Sequence, residues 1–167
     1  MAIQNPKELF VMMLSHVRHG EERTTEIFRM INEAAKDPDV KEALESRIFI
    51  KDQILSSLDR CFELTGAKPM KPNTRLHDMF VEDFRKELAE IQSPVARHLF
   101  VLAKAKAAIH LRIAEYAALT AMADFSGHFG VGVLLETCLA EQLAFVERTR
   151  RLVRHLVAKE LGERLAA

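Results

Sequence analysis

The chain has no tryptophan, a single tyrosine (Tyr116) and only two cysteines, Cys61 and Cys138, in 167 residues. So few cysteines exclude a disulfide scaffold, and both fall on helical apolar faces, where buried thiols are expected. Net charge is missing too. Lys and Arg number 24 and so do Asp and Glu, so no overall field draws nucleic acid or an anionic membrane. The basic cluster of Arg148, Arg150, Arg151, Arg154 and His155 lacks interleaved aromatics for base stacking and is expected to be a solvated face. No apolar run approaches the ~18 residues that cross a bilayer. The opening MAIQNPKELF has neither a positive n-region nor an apolar h-region, so a cytoplasmic location is expected. No serine has His and Asp partners at a recognisable spacing, and no glycine-rich loop follows a strand. Nucleophilic and phosphate-loop chemistry therefore have no support.

What is present is helix. Hydrophobic residues make up 49% and charged residues 29%, an ordinary globular balance, and one domain over 1–167 is expected. Asn5-Pro6, Asp37-Pro38 and Ser93-Pro94 each set an N-cap side chain before a proline at the first helical position. Gly66 stops the second stretch, and Gly127 with Gly130 the third. These signals predict helices at 6–35, 38–65, 94–125 and 131–163. A shorter amphipathic segment runs from Leu76 to Ile91, after the proline-bearing loop Ala67–Asn73. Two tight connections and one long one between the second and third helices make the expected fold all-α. It is an antiparallel four-helix bundle of ferritin-like type, with a short extra helix in the crossover.

Each long helix carries one apolar stripe, and each stripe is broken near its middle by a polar residue. In the first, Phe10, Leu14, Val17, Glu21, Thr24, Phe28 and Ile31 share a face; in the second, Leu44, Ile48, Lys51, Leu55, Leu58 and Phe62. The third reads Leu102, Ala105, Ile109, Arg112, Tyr116 and Leu119, and the fourth Leu134, Cys138, Glu141 and Phe145, with Gln142 beside them. A charge inside a core is costly unless paired or bound, so function is sought at these interruptions. A ferritin-like di-metal centre takes a Glu from each of two helices and Glu-x-x-His from the other two. No Glu-x-x-His occurs in the chain.

The blocks KELFVMMLSHV (Lys7 to Val17), DPDVKEALESRI (Asp37 to Ile48), LDRCFELTG (Leu58 to Gly66), IHLRIAEYAAL (Ile109 to Leu119) and LLETCLAEQ (Leu134 to Gln142) resemble the YciF-like ferritin-like proteins. That bacterial family is linked to stress responses and has no established biochemical function. The resemblance runs from Asn5 to about Leu152 and implies a metal-binding glutamate at Glu21. Where the family carries consecutive glutamates in its second helix, this chain has Phe49 and Ile50. Where the third helix carries two glutamates around a histidine, it has Ile109 and Arg112 about His110. In the fourth, Glu141 survives, Gln142 is its neighbour, and Val146 replaces an aspartate. The vestigial positions are thus Glu21, Ile50, Ile109, His110, Arg112 and Glu141.

Two carboxylates cannot serve two divalent ions that want about four to six donors each. No metal, no catalytic residue and no cofactor are expected. In place of a metal, an ion network of Glu21, Lys51, Arg112 and Glu141 is expected at mid-bundle, as Glu21–Arg112 and Glu141–Lys51 or the other pairing. The alternative is that Lys51 and Arg112 snorkel out along the seam. His16, His19 and Glu22 could share a face but are expected to be solvated, and Gly20 suggests a close helix approach beside Glu21. The expected role is structural or interactive, as a homodimer or other homo-oligomer using the crossover segment and Met12-Met13, with no nucleic acid and no membrane as partner. The metal-bearing alternative is an iron or manganese oxidoreductase or peroxide-handling protein. A small-molecule pocket near Tyr116, its ligand unknown, is the third reading.

Overall fold

The computed structural model describes residues 3–71 and 75–166, with side chains as far as Gly162. Pro72 and Asn73 of the crossover loop lie outside the described residues. Among the described residues six helices follow in order: α1 (Pro6–Ala34), α2 (Pro38–Phe49), α3 (Lys51–Thr65), α4 (Arg75–Glu90), α5 (Pro94–Phe125) and α6 (Phe129–Ala166). The caps act as their residue types require. Asn5 Oδ1 accepts from the Glu8 N–H at 2.9 Å, Asp37 Oδ1 from the Asp39 and Val40 N–H groups at 3.0 and 3.1 Å, and Ser93 Oγ from the Ala96 N–H at 3.3 Å. Gly66 and Gly127 end their helices at φ of 64° and 73°, where a Cβ would be strained. Gly130, taken from sequence as part of that second stop, lies instead in the first turn of α6.

One rod differs from expectation. The helix predicted over 38–65 is two helices, α2 and α3, joined at Ile50 (φ −79°, ψ 0°). The Ile54 N–H still reaches the Ile50 carbonyl at 3.1 Å, so the rod bends without coming apart. Neither proline nor glycine marks the break, and sequence punctuation could not reveal it.

With α2 and α3 counted as one bent rod, the architecture is a ferritin-like four-helix bundle crossed by α4. The most extensive pairing is α5 with α6, followed by α1 with α5 and α1 with α2. α4 docks on α1 and α5 through Phe84, which is buried and stacks on Phe100 at 5.6 Å. The apolar core has two compartments. One gathers Ile27, Phe28, Leu44, Leu102, Ile109 and Phe145; the other gathers Leu14, Leu58, Cys61, Leu119, Leu135 and Cys138. Glu21, Arg47, Arg112 and Gln142, all buried, belong to neither compartment.

The outer side of α6 corrects one expectation. An 18-residue window within Phe129–Gly162 has a mean hydropathy of 1.5, and this helix is long and apolar enough to cross a membrane by length and composition. Gly130, Gly132, Glu136, Thr137, Glu141 and Gln142 interrupt any unbroken apolar run, which is why counting consecutive residues passed over it. Only a third of that window is buried. Phe129 and Val133 are among the residues left exposed.

Candidate functional site

Glu21, one position beyond the middle of α1, lies on the face that carries Val17, Thr24 and Phe28 into the interior. Its carboxylate is fully engaged. Oε1 accepts from the Tyr116 hydroxyl of α5 at 3.0 Å and from Gln142 Nε2 of α6 at 3.2 Å. Oε2 accepts from Arg47 Nη2 of α2, in an ion pair whose two side chains are each 1% exposed. The other three rods thus each place one side chain on the charge that α1 supplies. Burying that charge is tolerable because an opposite charge and two neutral donors replace its water. The Arg47 guanidinium also lies 5.8 Å from the centre of the Phe28 ring, a cation–π contact.

Arg47 was not among the expected site residues. Of the stripe drawn through Leu44, Ile48, Lys51, Leu55, Leu58 and Phe62, only Leu44, Leu58 and Phe62 are buried; Val40, Ala43 and Arg47 in α2 and Ile54 and Cys61 in α3 complete the face that packs. Val40, Ala43 and Arg47 also have 3/4 spacing, and that regularity was the available signal. An arginine on such a stripe reads as polar, which kept it off the expected site.

The other expected members do not converge on Glu21. Lys51 does not reach the interior. It is half-buried at the start of α3, with Nζ 3.7 Å from Asp52 Oδ1, because the bend turns it towards the surface. Glu141 is half-buried and lines a groove between α2 and α6 with Phe49, Ile50, Phe145 and Arg148. Among the described residues it forms no ion pair, since the next position, Gln142, takes the inward direction. Arg112 is buried as expected, but neither Glu21 nor Glu141 is its partner. Its Nη1 lies 2.8 Å from Glu115 Oε2, and its Nη2 donates to Glu115 Oε1 at 3.1 Å; the i,i+3 spacing lets one turn of α5 supply both charges. Ile109 is buried in apolar surroundings, His110 is exposed, and Ile50 is half-buried at the bend.

Around this centre burial keeps the reactive groups protonated. It holds the Tyr116 phenol well above its ordinary value, with the Glu21 charge adding to it. Burial pushes the Cys138 thiol up to about 11, again reinforced by Glu21, and the Cys61 thiol up to about 12. Neither thiol is a thiolate at neutral pH, so nucleophilic or redox attack through them is disfavoured. The residues present do not fit a di-metal centre. Glu21 is occupied by three donors, Ile109 offers no ligand atom, and Arg112 brings a positive charge. Among the described residues no group of three His, Cys, Asp or Glu side chains is placed to hold a metal ion.

A second polar cluster lies under α4. His19 Nδ1 is 3.4 Å from Glu22 Oε2, and the His19 and His77 rings meet edge-on at 6.4 Å. Burial, with Arg112, His19 and Arg23 nearby and only Asp78 opposing, lowers the pKa of His77 from 6.5 to about 4. A histidine that charges more readily unfolded than folded removes stability as pH falls from 6.5 towards about 4. Above 6.5 it is neutral in both states and its contribution is fully present. Melting temperature measured against pH is expected to fall less steeply across that window in His77→Leu than in the wild type. Parallel curves would show that His77 is not held neutral by its surroundings.

Helical rods in this order, with a crossover helix and a polar layer at mid-bundle, define the class as ferritin-like. The chain belongs to the family described as "Domain of unknown function (DUF892)", whose model matches residues 5–162. Among solved structures, the Escherichia coli stress protein YciF superposes with a TM-score of 0.87 at 19% identity, covering 94% of this chain and 99% of that one. YcfI from Rhodopseudomonas palustris gives 0.83 at 26% identity, covering 89% and 94%. A ferritin-like, diiron-carboxylate protein from Bacillus anthracis gives 0.67 at 15%, covering 90% and 99%. Comparison with curated proteins finds no match.

Proposed function

We propose that this chain is a metal-independent member of the ferritin-like bundles, acting as a structural or interaction module and not as an oxidoreductase. The observation that carries the reading is the state of Glu21. This buried carboxylate of the central layer already holds an arginine, a phenol and an amide as donors. A divalent ion arriving there would have to displace Arg47 and would find few oxygen or imidazole donors to complete its shell. Metal analysis of protein made without a histidine tag, in medium supplemented with iron and manganese, is expected to find well under one ion per chain. About two ions per chain would overturn the reading in favour of the iron or manganese oxidoreductase.

Self-association is the second part of the proposal. Phe125 and Phe129, at the α5–α6 turn, are 91% and 68% exposed, Phe49 at the bend is 88% exposed, and Val133 and Leu143 on α6 are also open. Phe129 and Val133 lie one turn apart on α6, and neighbouring exposed apolar side chains of this kind are characteristic of surfaces that meet another protein. Light scattering at micromolar concentration is expected to give at least twice the 19.0 kDa of one chain. A mass of one chain would remove this part.

A further inference from the structure

α6 carries two stripes of the same period. Val131, Leu135, Cys138, Gln142, Phe145 and Thr149, alternately four and three residues apart, face the bundle and are buried. Two positions back along the chain, about 200° around the helix, a second series follows the same alternation on the outside. Its first half is Phe129, Val133, Glu136, Ala140 and Leu143, and its second half is Glu147, Arg150, Arg154, Val157 and Leu161; every one of them is exposed. The alternation averages about 3.5 residues, the period of a seam between two packed helices. From Phe129 to Leu161 it runs for about 48 Å at 1.5 Å per residue.

We infer that the outer face of α6 pairs antiparallel with α6 of a second copy, each residue meeting the one equally far on the other side of position 145. This rests on the self-association proposed above and assigns it an interface. Turning one helix end for end about that point sets Phe129 against Leu161 of the second copy, and Val133 against Val157. Both ends of the seam are then apolar. Inside them Glu136 meets Arg154, an opposite-charge pair that the two-fold axis forms twice. Among the described residues neither of these two has an ion-pair partner in its own chain. Nearest the axis, Leu143 meets Glu147 and Ala140 meets Arg150. Those two charges are already joined within one chain at 2.9 Å, and their aliphatic stems cover the smaller side chains.

Other alignments do not match. Parallel helices in register put Glu136 on Glu136 and Arg154 on Arg154. Sliding the antiparallel pair by one seven-residue repeat sets Glu136 against Glu147 and Phe129 against Arg154 in one direction. In the other it sets Glu136 against Leu161 and Leu143 against Arg154. Lipid is a poorer occupant, because a helix lying on a membrane keeps its charges on the side away from it, and Glu136, Glu147, Arg150 and Arg154 sit within this face.

Mild oxidation of the full chain carrying both Val133→Cys and Val157→Cys tests the register. The two positions lie about 36 Å apart along one helix, so a disulfide between them has to join two chains. A gel run without reductant is expected to show a covalent dimer for the double variant. Either single variant is expected to give almost none, since its like cysteines would lie the same ~36 Å apart in the pair. The native Cys61 and Cys138 are buried and stay out of the reaction. In sedimentation equilibrium, Glu136→Arg is expected to raise the dimer Kd about tenfold or more, and adding Arg154→Glu to bring it back to within about threefold. All four positions are exposed, so the bundle itself is expected to fold unchanged. A dimer unaffected by Glu136→Arg, or single variants that cross-link as fully as the double one, would overturn this interface and leave self-association standing. A monomer at every concentration would remove both. Binding of the wild type to phosphatidylcholine–phosphatidylserine vesicles with loss of the dimer would overturn the pairing in favour of lipid.

Discussion

Replacing Glu21 by alanine is expected to lower the stability of the bundle by about 3–5 kcal/mol, because Arg47 would be left charged, buried and uncompensated. For a chain of this size that is a fall in melting temperature of about 6–20 °C. The same substitution leaves the Tyr116 hydroxyl and the Gln142 amide without the oxygen that accepts from both. A buried donor without an acceptor costs about 1–3 kcal/mol, so the upper half of the range is expected. The double variant Glu21→Leu with Arg47→Met removes both charges and fills the space with apolar atoms. It is expected to recover part of the loss, as buried ion pairs replaced by hydrophobic side chains commonly do. It cannot recover all of it while Tyr116 and Gln142 still seek a partner. A Glu21→Ala variant that melts with the wild type would mean that the carboxylate is not held in the interior as described.

The second large effect is at Gly20, and its sign is opposite to what helix propensity alone gives. Alanine in place of a mid-helix glycine stabilises an exposed helix by about 1 kcal/mol. Here the new Cβ would lie 1.6 Å from Arg112 Nη1 and 2.6 Å from Cζ. The guanidinium must therefore leave its place, and with it the contact to Glu115. An arginine end is flexible, but this one is 1% exposed and has little free space to enter. Overpacking of this kind costs about 1–3 kcal/mol, to which the loosened ion pair adds, so net destabilisation of about 1–3 kcal/mol is expected in denaturant melts. Repeating Gly20→Ala in an Arg112→Ala background separates the causes. There the substitution is expected to be neutral or stabilising by up to about 1 kcal/mol. Destabilisation of equal size in both backgrounds would rule out the Arg112 clash as its source.

How much of this was legible beforehand varies from residue to residue. The stripe of α1 could be read off whole: Phe10, Leu14, Val17, Glu21, Thr24, Phe28 and Ile31 are all buried. So could that of α5, from Leu102 to Leu119. Both helices are long and start at a cap followed by proline, so 3/4 spacing maps directly onto one face. The second rod was not legible in the same way. Its bend at Ile50 carries no proline or glycine, and the counted face and the packed face agree at Leu44, Leu58 and Phe62 but part on either side of the bend, at Arg47 before it and Lys51 after it. In α6 the spacing offered Glu141 and Gln142 as adjacent candidates one helical step, about 100°, apart. Only docking against α1 and α5 decided that the amide turns inward.

Local rules determined what each segment of this chain would be. Caps, prolines, glycines and the period of apolar residues specify helices, their ends and the long crossover, because these depend on neighbours within about four positions. Which charge meets which is another kind of question. Glu21 finds Arg47 across 26 residues, Tyr116 across 95 and Gln142 across 121, and each pairing depends on the relative rotation and height of packed rods. A one-residue difference turns a side chain by about 100° about its helix, enough to exchange interior for solvent. The partners of the central carboxylate were therefore settled only when the four rods came together.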